Sequence, residues 1–234
     1  MSIIVTGGAG FIGSNFLHHL LTVTDEEIIV IDNLTYAANK EYVPHQLTLL
    51  ECDISDRKHV DEIFSKYKPK KVFNFAAESH VDNSIKNVDP FISTNISGTC
   101  NLLRASVDCD VNKFHHVSTD EVYGSLEYDD TKLFSEETPY DPRNPYSASK
   151  ASAEHMVKAW NNTYGLPYLI TSAANNYGPR QHAEKLIPKV IDNVLNDKVT
   201  NMYGGGQQIR DWIYVEDHCR AIWTLDEQNI LNDK

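Results

Sequence analysis

Thr6-Gly7-Gly8-Ala9-Gly10-Phe11-Ile12-Gly13 decides the fold of this chain. The stretch directly follows an apolar run at residues 2–6 that reads as a buried strand, and it opens a segment with helical periodicity. Glycines at 7, 10 and 13 permit a tight turn, close approach of backbone to a pyrophosphate, and close helix–strand packing. The helix N-terminus meanwhile presents free N–H groups to an anion. Such glycines can also serve a turn and nothing more. Here the strand–turn–helix context is present, and Asp32 follows at the end of a second strand about 20 residues on, where a carboxylate can accept bonds from a ribose diol. A carboxylate in that place repels a 2′-phosphate, so the expected cofactor is NAD rather than NADP. Gly7, Gly10, Gly13 and Asp32 are therefore candidate cofactor residues. Asp53-Ile54, after a third strand, offers an acceptor for the adenine amine and an apolar wall, although Asp at a strand end is ordinarily a helix cap.

Working outward, short β-branched runs at residues 2–6, 28–31, 47–50, 72–75, 114–117 and 169–172 alternate with longer amphipathic segments. That alternation means βαβ units, hence an α/β fold with a doubly wound parallel sheet of the Rossmann type. Asp89-Pro90 opens a helix expected to reach about residue 107, and a second is expected from Tyr146 to Tyr164, stopped by Gly165 and Pro167. After Gly178-Pro179 the rhythm changes: a helix over about 184–196, a strand near 199–203, a turn at Gly204-Gly205-Gly206 and a final helix from about Val215. The expected division is a dinucleotide-binding domain at 1–178 and a smaller α/β substrate domain at 179–234.

The composition narrows the function. With 33 acidic against 21 basic residues the formal net charge is −12, and no basic run attracts nucleic acid or an anionic membrane. No apolar run approaches the roughly 20 residues of a membrane-spanning helix. Cys52, Cys100, Cys109 and Cys219 form no C-x-x-C pair and no metal-ligand spacing, which fits reduced thiols and no metal site. A soluble cytoplasmic protein is expected.

Tyr146 and Lys150 are four residues apart and share one face of their helix. A neighbouring ammonium and a nicotinamide cation would lower the phenol from its ordinary pKa near 10 towards operating pH, so that Tyr146 could take a hydroxyl proton while a hydride leaves. The same spacing is also common as a surface pair. Thr119-Asp120-Glu121 follows the fifth strand, at the sheet edge where such folds bind ligands. Adjacent acids at a helix start are often dipole caps. Placed beside a redox base, however, one protonated and one ionised carboxyl would suit an elimination.

Several motifs together extend this reading: Thr6–Gly13, the DNLTYA run beginning at Asp32, AAESHVD from Ala76, STDEVYG from Ser118, YSASK from Tyr146, NNYGP from Asn175, EKLIP from Glu184 and QIRDW from Gln208. On these the chain resembles the extended short-chain dehydrogenases and, within them, the dTDP-glucose 4,6-dehydratases. Related sugar epimerases usually carry Ser or Ala where Asp120 and Glu121 stand. The resemblance implies that Tyr146 takes the C4 hydroxyl proton, that Thr119 holds the C4 oxygen and that Lys150 tunes Tyr146. It further gives Glu121 the C5 proton and makes Asp120 the acid for the departing C6 hydroxyl. By resemblance the cofactor positions also include Phe11, Ile12, Asn33, Leu34, Thr35, Phe75, Ala76, Ala77, Thr94 and Asn176. The positions for a nucleotide-diphosphosugar are Ser79, Thr119, Asn175, Lys185, Leu186, Asn201, Tyr203 and Arg210. Lys185 and Arg210 are cations suited to a diphosphate, and Tyr203 to a base.

Asn83 stands where relatives usually have Arg, Gly205 replaces a polar residue, and Arg180-Gln181 occurs in some enzymes that take uridine nucleotides. The family continues beyond the length of this chain, so an incomplete substrate domain is expected, and a homodimer through a four-helix bundle is implied. Two other functions remain: an epimerase or decarboxylase using NAD, Tyr146 and Lys150, and a non-catalytic NAD-binding module. The keto-deoxysugar product of the leading reading feeds rhamnose and many other deoxysugars.

Overall fold

The computed structural model describes residues 2–126, 133–200 and 203–231. Six parallel strands, β1 (Ser2–Thr6), β2 (Glu27–Asp32), β3 (Thr48–Glu51), β4 (Lys71–Asn74), β5 (Lys113–Thr119) and β6 (Tyr168–Ala173), form one sheet in the order β3-β2-β1-β4-β5-β6. The chain builds outward from β1 to β3 and then crosses back to β4, so the order reverses between β1 and β4. Loops leaving that point diverge and open a crevice at the carboxyl edge.

Alternation along β1 shows why the sheet is covered on both faces. Ile4 joins Ile29, Ile31, Val72 and Phe114 under α2 (Arg57–Tyr67), α5 (Thr99–Asp108) and α6 (Pro145–Tyr164). Ile3 and Val5 join Val30 and Phe73 on the other face, under α1 (Phe11–Val23) and α8 (Val215–Glu227). Helix α8 follows the expected boundary at 178, yet Val215, Cys219, Ile222 and Trp223 are buried in this second layer. Its C-terminal end is fixed by charge. Lys71 Nζ donates to Asp226 Oδ2 at 2.6 Å, and Lys113 Nζ donates to the Asp226 carbonyl at 3.1 Å from the start of β5.

The helix expected from Asp89 runs as α4 (Asp89–Phe91), a π-helical stretch (Ile92–Gly98) and α5. Wider turns of this kind re-aim side chains, often beside functional sites. Asn95, within the stretch, pairs with the backbone of Glu78 in both directions, at 2.8 and 2.9 Å, and donates to Ser149 Oγ at 2.8 Å. It thereby ties the loop after β4 to α6, passing the short helix α3 (Val81–Lys86).

Helix α6 starts at Pro145, behind a reciprocal cap: Ser147 N–H donates to Asn144 Oδ1 at 2.8 Å and Asn144 N–H to Ser147 Oγ at 3.2 Å. It ends at Gly165 in the left-handed conformation. Beyond β6, a two-stranded parallel sheet pairs β7 (Asn175–Tyr177) with β8 (Trp212–Tyr214), and α7 (Leu186–Leu195) lies between them in the chain. The strand expected near 199–203 does not form where the structure describes it. Val199 and Thr200 are irregular, and Tyr203–Gly206 is a 3₁₀ turn. The partner available to β7 is β8, so the β-branched run at 199–200 is left outside any sheet. Among the described residues, no helix is long and apolar enough to cross a membrane.

Candidate active site

The crevice is lined by residues from the glycine turn, the ends of β2, β3 and β4, the π stretch and α6. Its shape fits a dinucleotide on three counts. Gly7, at φ +69, lies so close to β4 that a Cβ there would sit 2.7 Å from Ala76 N, and a Cβ on Gly13 would collide with the Gly7 carbonyl. The backbone can therefore approach a pyrophosphate only with glycine in both places. No side chain caps the N-terminus of α1, which leaves its first-turn N–H groups facing the crevice. Asp32 borders the crevice with its carboxylate held by Ala9 N–H on Oδ2 and Leu34 N–H on Oδ1, both at 2.8 Å. Burial raises its pKa and those two bonds oppose the rise.

Phe11, Ile12, Asn33, Thr35, Asp53, Ile54, Phe75, Ala76, Ala77 and Thr94 also line the crevice, as do Tyr146 and Lys150. Asp53 borders the crevice but is not the cap of α2, which is Asp56. Asp53 accepts Ser55 N–H on Oδ1 at 2.8 Å and Asn33 Nδ2 on Oδ2 at 3.0 Å. The side chains of two expected cofactor residues are engaged away from the crevice. Leu34, at φ +49, packs into the apolar layer beside α1. Asn176 bonds to the Ala174 carbonyl and to His218 Nδ1, so its amide is occupied within the β7 region.

Lys150 is buried, and its ammonium is anchored from behind, donating to the Val117 carbonyl at 2.7 Å with His116 Nε2 at 3.3 Å. Burial lowers its pKa to about 8, against the pull of Glu154. The lowering of Tyr146 expected from its spacing to Lys150 is not produced by the chain itself. Burial pushes the phenol above its ordinary range, Glu121 and Asp120 add to the rise, and a hydrogen bond with Thr119 opposes it. The cause is geometric, since Lys150 points its ammonium at β5.

Thr119 ends β5 and caps the 3₁₀ turn Asp120–Tyr123, receiving Glu121 N–H at 3.3 Å. The two acids have different surroundings. Burial raises the Asp120 pKa, opposed by Thr119 and, at longer range, by Arg210. Glu121 Oε2 accepts Asn144 Nδ2 at 3.2 Å.

Of the expected substrate residues, Ser79 and Lys185 line the crevice, while Asn175 lies in β7. Leu186 opens α7 with an exposed side chain, and Arg210 is exposed, donating to its own neighbour's carbonyl on Ile209. Neither borders the crevice, because the segment carrying each packs against little else. Asn201 and the side chain of Tyr203 lie outside the described residues. Arg180 turns inward, donating to Asn15 Oδ1 on α1 at 2.6 Å, whereas Gln181 lines the crevice.

Sequence reasoning missed a cluster at the crevice mouth. Tyr36 meets His182 edge-on at 5.8 Å, and Glu184 lies 3.4 Å from His80 Nε2 and 3.7 Å from His182 Nδ1. Only tertiary folding brings these together; the local hint was Tyr36, His80 and Glu184 inside motifs already singled out, with His182 beside one of them.

A doubly wound sheet with a dinucleotide turn and a Tyr–Lys helix at its switch point defines a Rossmann-type redox scaffold. The chain belongs to the GDP-mannose 4,6 dehydratase family, whose model matches residues 4–234. A dTDP-glucose 4,6-dehydratase of Neisseria meningitidis serogroup B is 46% identical over 99% of this chain and 69% of its own length. The crystal structure of DesIV, a dTDP-glucose 4,6-dehydratase from Streptomyces venezuelae with NAD bound, superposes with a TM-score of 0.91 at 42% identity, covering 96% of this chain and 71% of that one. A UDP-glucose 4-epimerase from Thermotoga maritima, solved with UDP-glucose, matches with a TM-score of 0.88 at 33% identity over 94% of this chain and 72% of its own.

Proposed function

We propose that this protein is an NAD-dependent nucleotide-diphosphoglucose 4,6-dehydratase, acting on dTDP-glucose or UDP-glucose to give the 4-keto-6-deoxy sugar. The observation that carries the reading is the pair Asp120 and Glu121 on the turn after β5, electrostatically coupled to Tyr146 and set in different environments. An epimerase uses the Tyr–Lys pair without needing two acids.

Bound NAD would supply a hydride acceptor for C4 and return the same hydride to C6, so it is regenerated each cycle. The nicotinamide charge and Lys150 together offset the burial of Tyr146, whose phenolate accepts the C4 hydroxyl proton as the C4 ketone forms. Thr119 holds the C4 oxygen. The ketone acidifies C5–H; Glu121 removes that proton while the C6–O bond breaks, and Asp120, whose pKa burial raises, gives its proton to the departing hydroxyl to form water. The hydride that NAD would hold is the one C6 needs, and Glu121 gives its proton back to C5.

In this reading residues 1–178 bind the cofactor and 179–234 contribute a substrate lobe, with Ser79 and Lys185 towards the sugar diphosphate. The protein works in the cytoplasm as a homodimer, with neither nucleic acid nor membrane as partner, and its product serves deoxysugar synthesis, rhamnose among the possible ends. Incubation with each nucleotide sugar tests the proposal. A product lighter by one water that develops alkaline absorbance is expected, and a galactose-configured product, or none with NAD retained, would overturn it.

A further inference from the structure

Glu154 lies one turn beyond Lys150 on α6 and is 1% exposed, the more deeply buried of the two. Lys150, Glu154 and Lys158 follow one another at intervals of four and share one face of the helix. Both oxygens of the carboxylate are bound. Ser118 Oγ, from β5, donates to Oε1 at 2.5 Å, and the Tyr140 hydroxyl, from the loop before α6, donates to Oε2 at 2.6 Å. Lys158 Nζ donates to the same Tyr140 oxygen at 2.5 Å and lies over its ring, so the phenol's own hydrogen is left for Glu154. Burial and the carboxylate both raise the Tyr140 pKa, and the phenol keeps the hydrogen it donates. Its ring is fixed in turn, stacked on Tyr123 at 5.8 Å and met edge-on by His155 at 4.8 Å.

Lys150 needs such a neighbour. An ammonium taken out of water is costly unless an opposite charge accompanies it. Its two acceptors, the Val117 carbonyl and His116 Nε2, carry no negative charge, and it makes no direct ion pair among the described residues. We infer that Glu154 is a positioning residue for Lys150, its carboxylate supplying the buried counter-charge for the ammonium while Ser118 and Tyr140 hold that carboxylate one turn away. A carboxylate free to swing against Lys150 would claim the N–H that faces the crevice. With both oxygens bound elsewhere, Glu154 lends charge without contact. Its pull on the Lys150 pKa, opposite to that of burial, agrees with this placement. The ionisable groups about Lys150 are His116 from β5, kept neutral by burial, and Tyr146 and Glu154 from its own helix. Those about Glu154 are Lys150 and Lys158 from the same helix, Tyr140 from the preceding loop and Tyr123 from the turn after β5. The inference rests on the role given above to Lys150, but its tests do not require turnover.

In protein labelled with carbon-13 at lysine Cε, with the Lys150 signal identified by its loss in Lys150→Met, the Lys150 titration midpoint should fall by about one unit in Glu154→Gln. It should fall less in Glu154→Asp, which keeps the charge. An unmoved midpoint in Glu154→Gln, or an equal fall in Glu154→Asp, would overturn the inference; a purely structural role would lower the urea midpoint without shifting that of Lys150. Should Glu154→Gln not fold, glutamate labelled at Cδ decides in the unaltered protein. The Glu154 signal, identified by its loss in Glu154→Asp, should be that of a carboxylate and should move as Lys150 titrates at about pH 8. A protonated carboxyl, or one indifferent to that titration, would equally overturn the inference.

Discussion

Asn144 Nδ2 donates to Glu121 Oε2 at 3.2 Å while Asn144 Oδ1 caps α6, so one side chain both starts the helix that carries Tyr146 and holds the acid that faces it. Asn144→Ala removes both. A stability loss of about 1 kcal/mol is expected from the cap, read as a lower urea midpoint. Turnover should fall in Asn144→Asp as well, which keeps the cap but sets a second carboxylate against Glu121. Unchanged turnover in Asn144→Asp would show that the Glu121 contact does not matter.

Glu121→Gln keeps the shape of the site and removes the base. Water loss from dTDP-glucose should fall by about 10²–10⁴-fold while bound NAD, measured by absorbance after denaturation, stays at its unaltered ratio. Undiminished turnover would mean that another group takes the C5 proton.

Gly13→Ala places a methyl group against the Gly7 carbonyl. Overpacking of this kind costs about 1–3 kcal/mol, and here it also spreads the turn that must approach the pyrophosphate. The variant should fold but copurify without NAD; retention of NAD at the unaltered ratio would show that the turn can shift to accommodate the methyl.

Stability should decline as pH drops below about 6.5. His115 and His218 are buried, and burial lowers their pKa values to about 3 and about 4, so between those values and the ordinary 6.5 the unfolded chain binds more protons than the folded one. Asp32, Glu78 and Asp120, raised by burial, act with opposite sign in the carboxylate range and soften the decline near its acid end. The urea midpoint should therefore be lower at about pH 5 than at about pH 7, and the difference smaller in His218→Gln. A midpoint that does not change over that interval would contradict the assignment of neutral buried rings.

Asp226→Asn leaves Lys71 and Lys113 without their carboxylate. Breaking a buried pair in this way costs about 3–5 kcal/mol, and equilibrium denaturation should show it as a large drop in midpoint. Replacing Asp217, exposed on the same helix, should change it little.

The parallel sheet was legible because each strand is a short apolar run covered on both faces, as Ile3, Ile4 and Val5 show, and because the glycine turn fixes the first βα unit. β7 and β8 were not legible. Each is three residues long, and Asn175 finds Trp212 across a gap no local period records. The π stretch was also hidden, since its residues read as ordinary helix until Asn95 is seen bridging Glu78 and Ser149. In the site, the motif positions told which segments would meet at the edge of the sheet. The side-chain directions of Leu34, Asn176 and Arg210 were not legible, because they depend on local packing, a competing His218 and the Ile209 carbonyl. The Tyr36, His182 and Glu184 cluster depends wholly on tertiary placement.

Helix α8 returns the chain to the sheet, where Lys71 and Lys113 hold its Asp226 and Lys71 also lies over the Trp223 ring. The intervening excursion, which carries α7 and Lys185, is consequently tethered at both ends to one rigid platform. Its loop-closure entropy is lost when the protein folds, so a ligand that engages Lys185, as proposed above, would have to restrict only motion about two fixed anchors rather than capture a free tail.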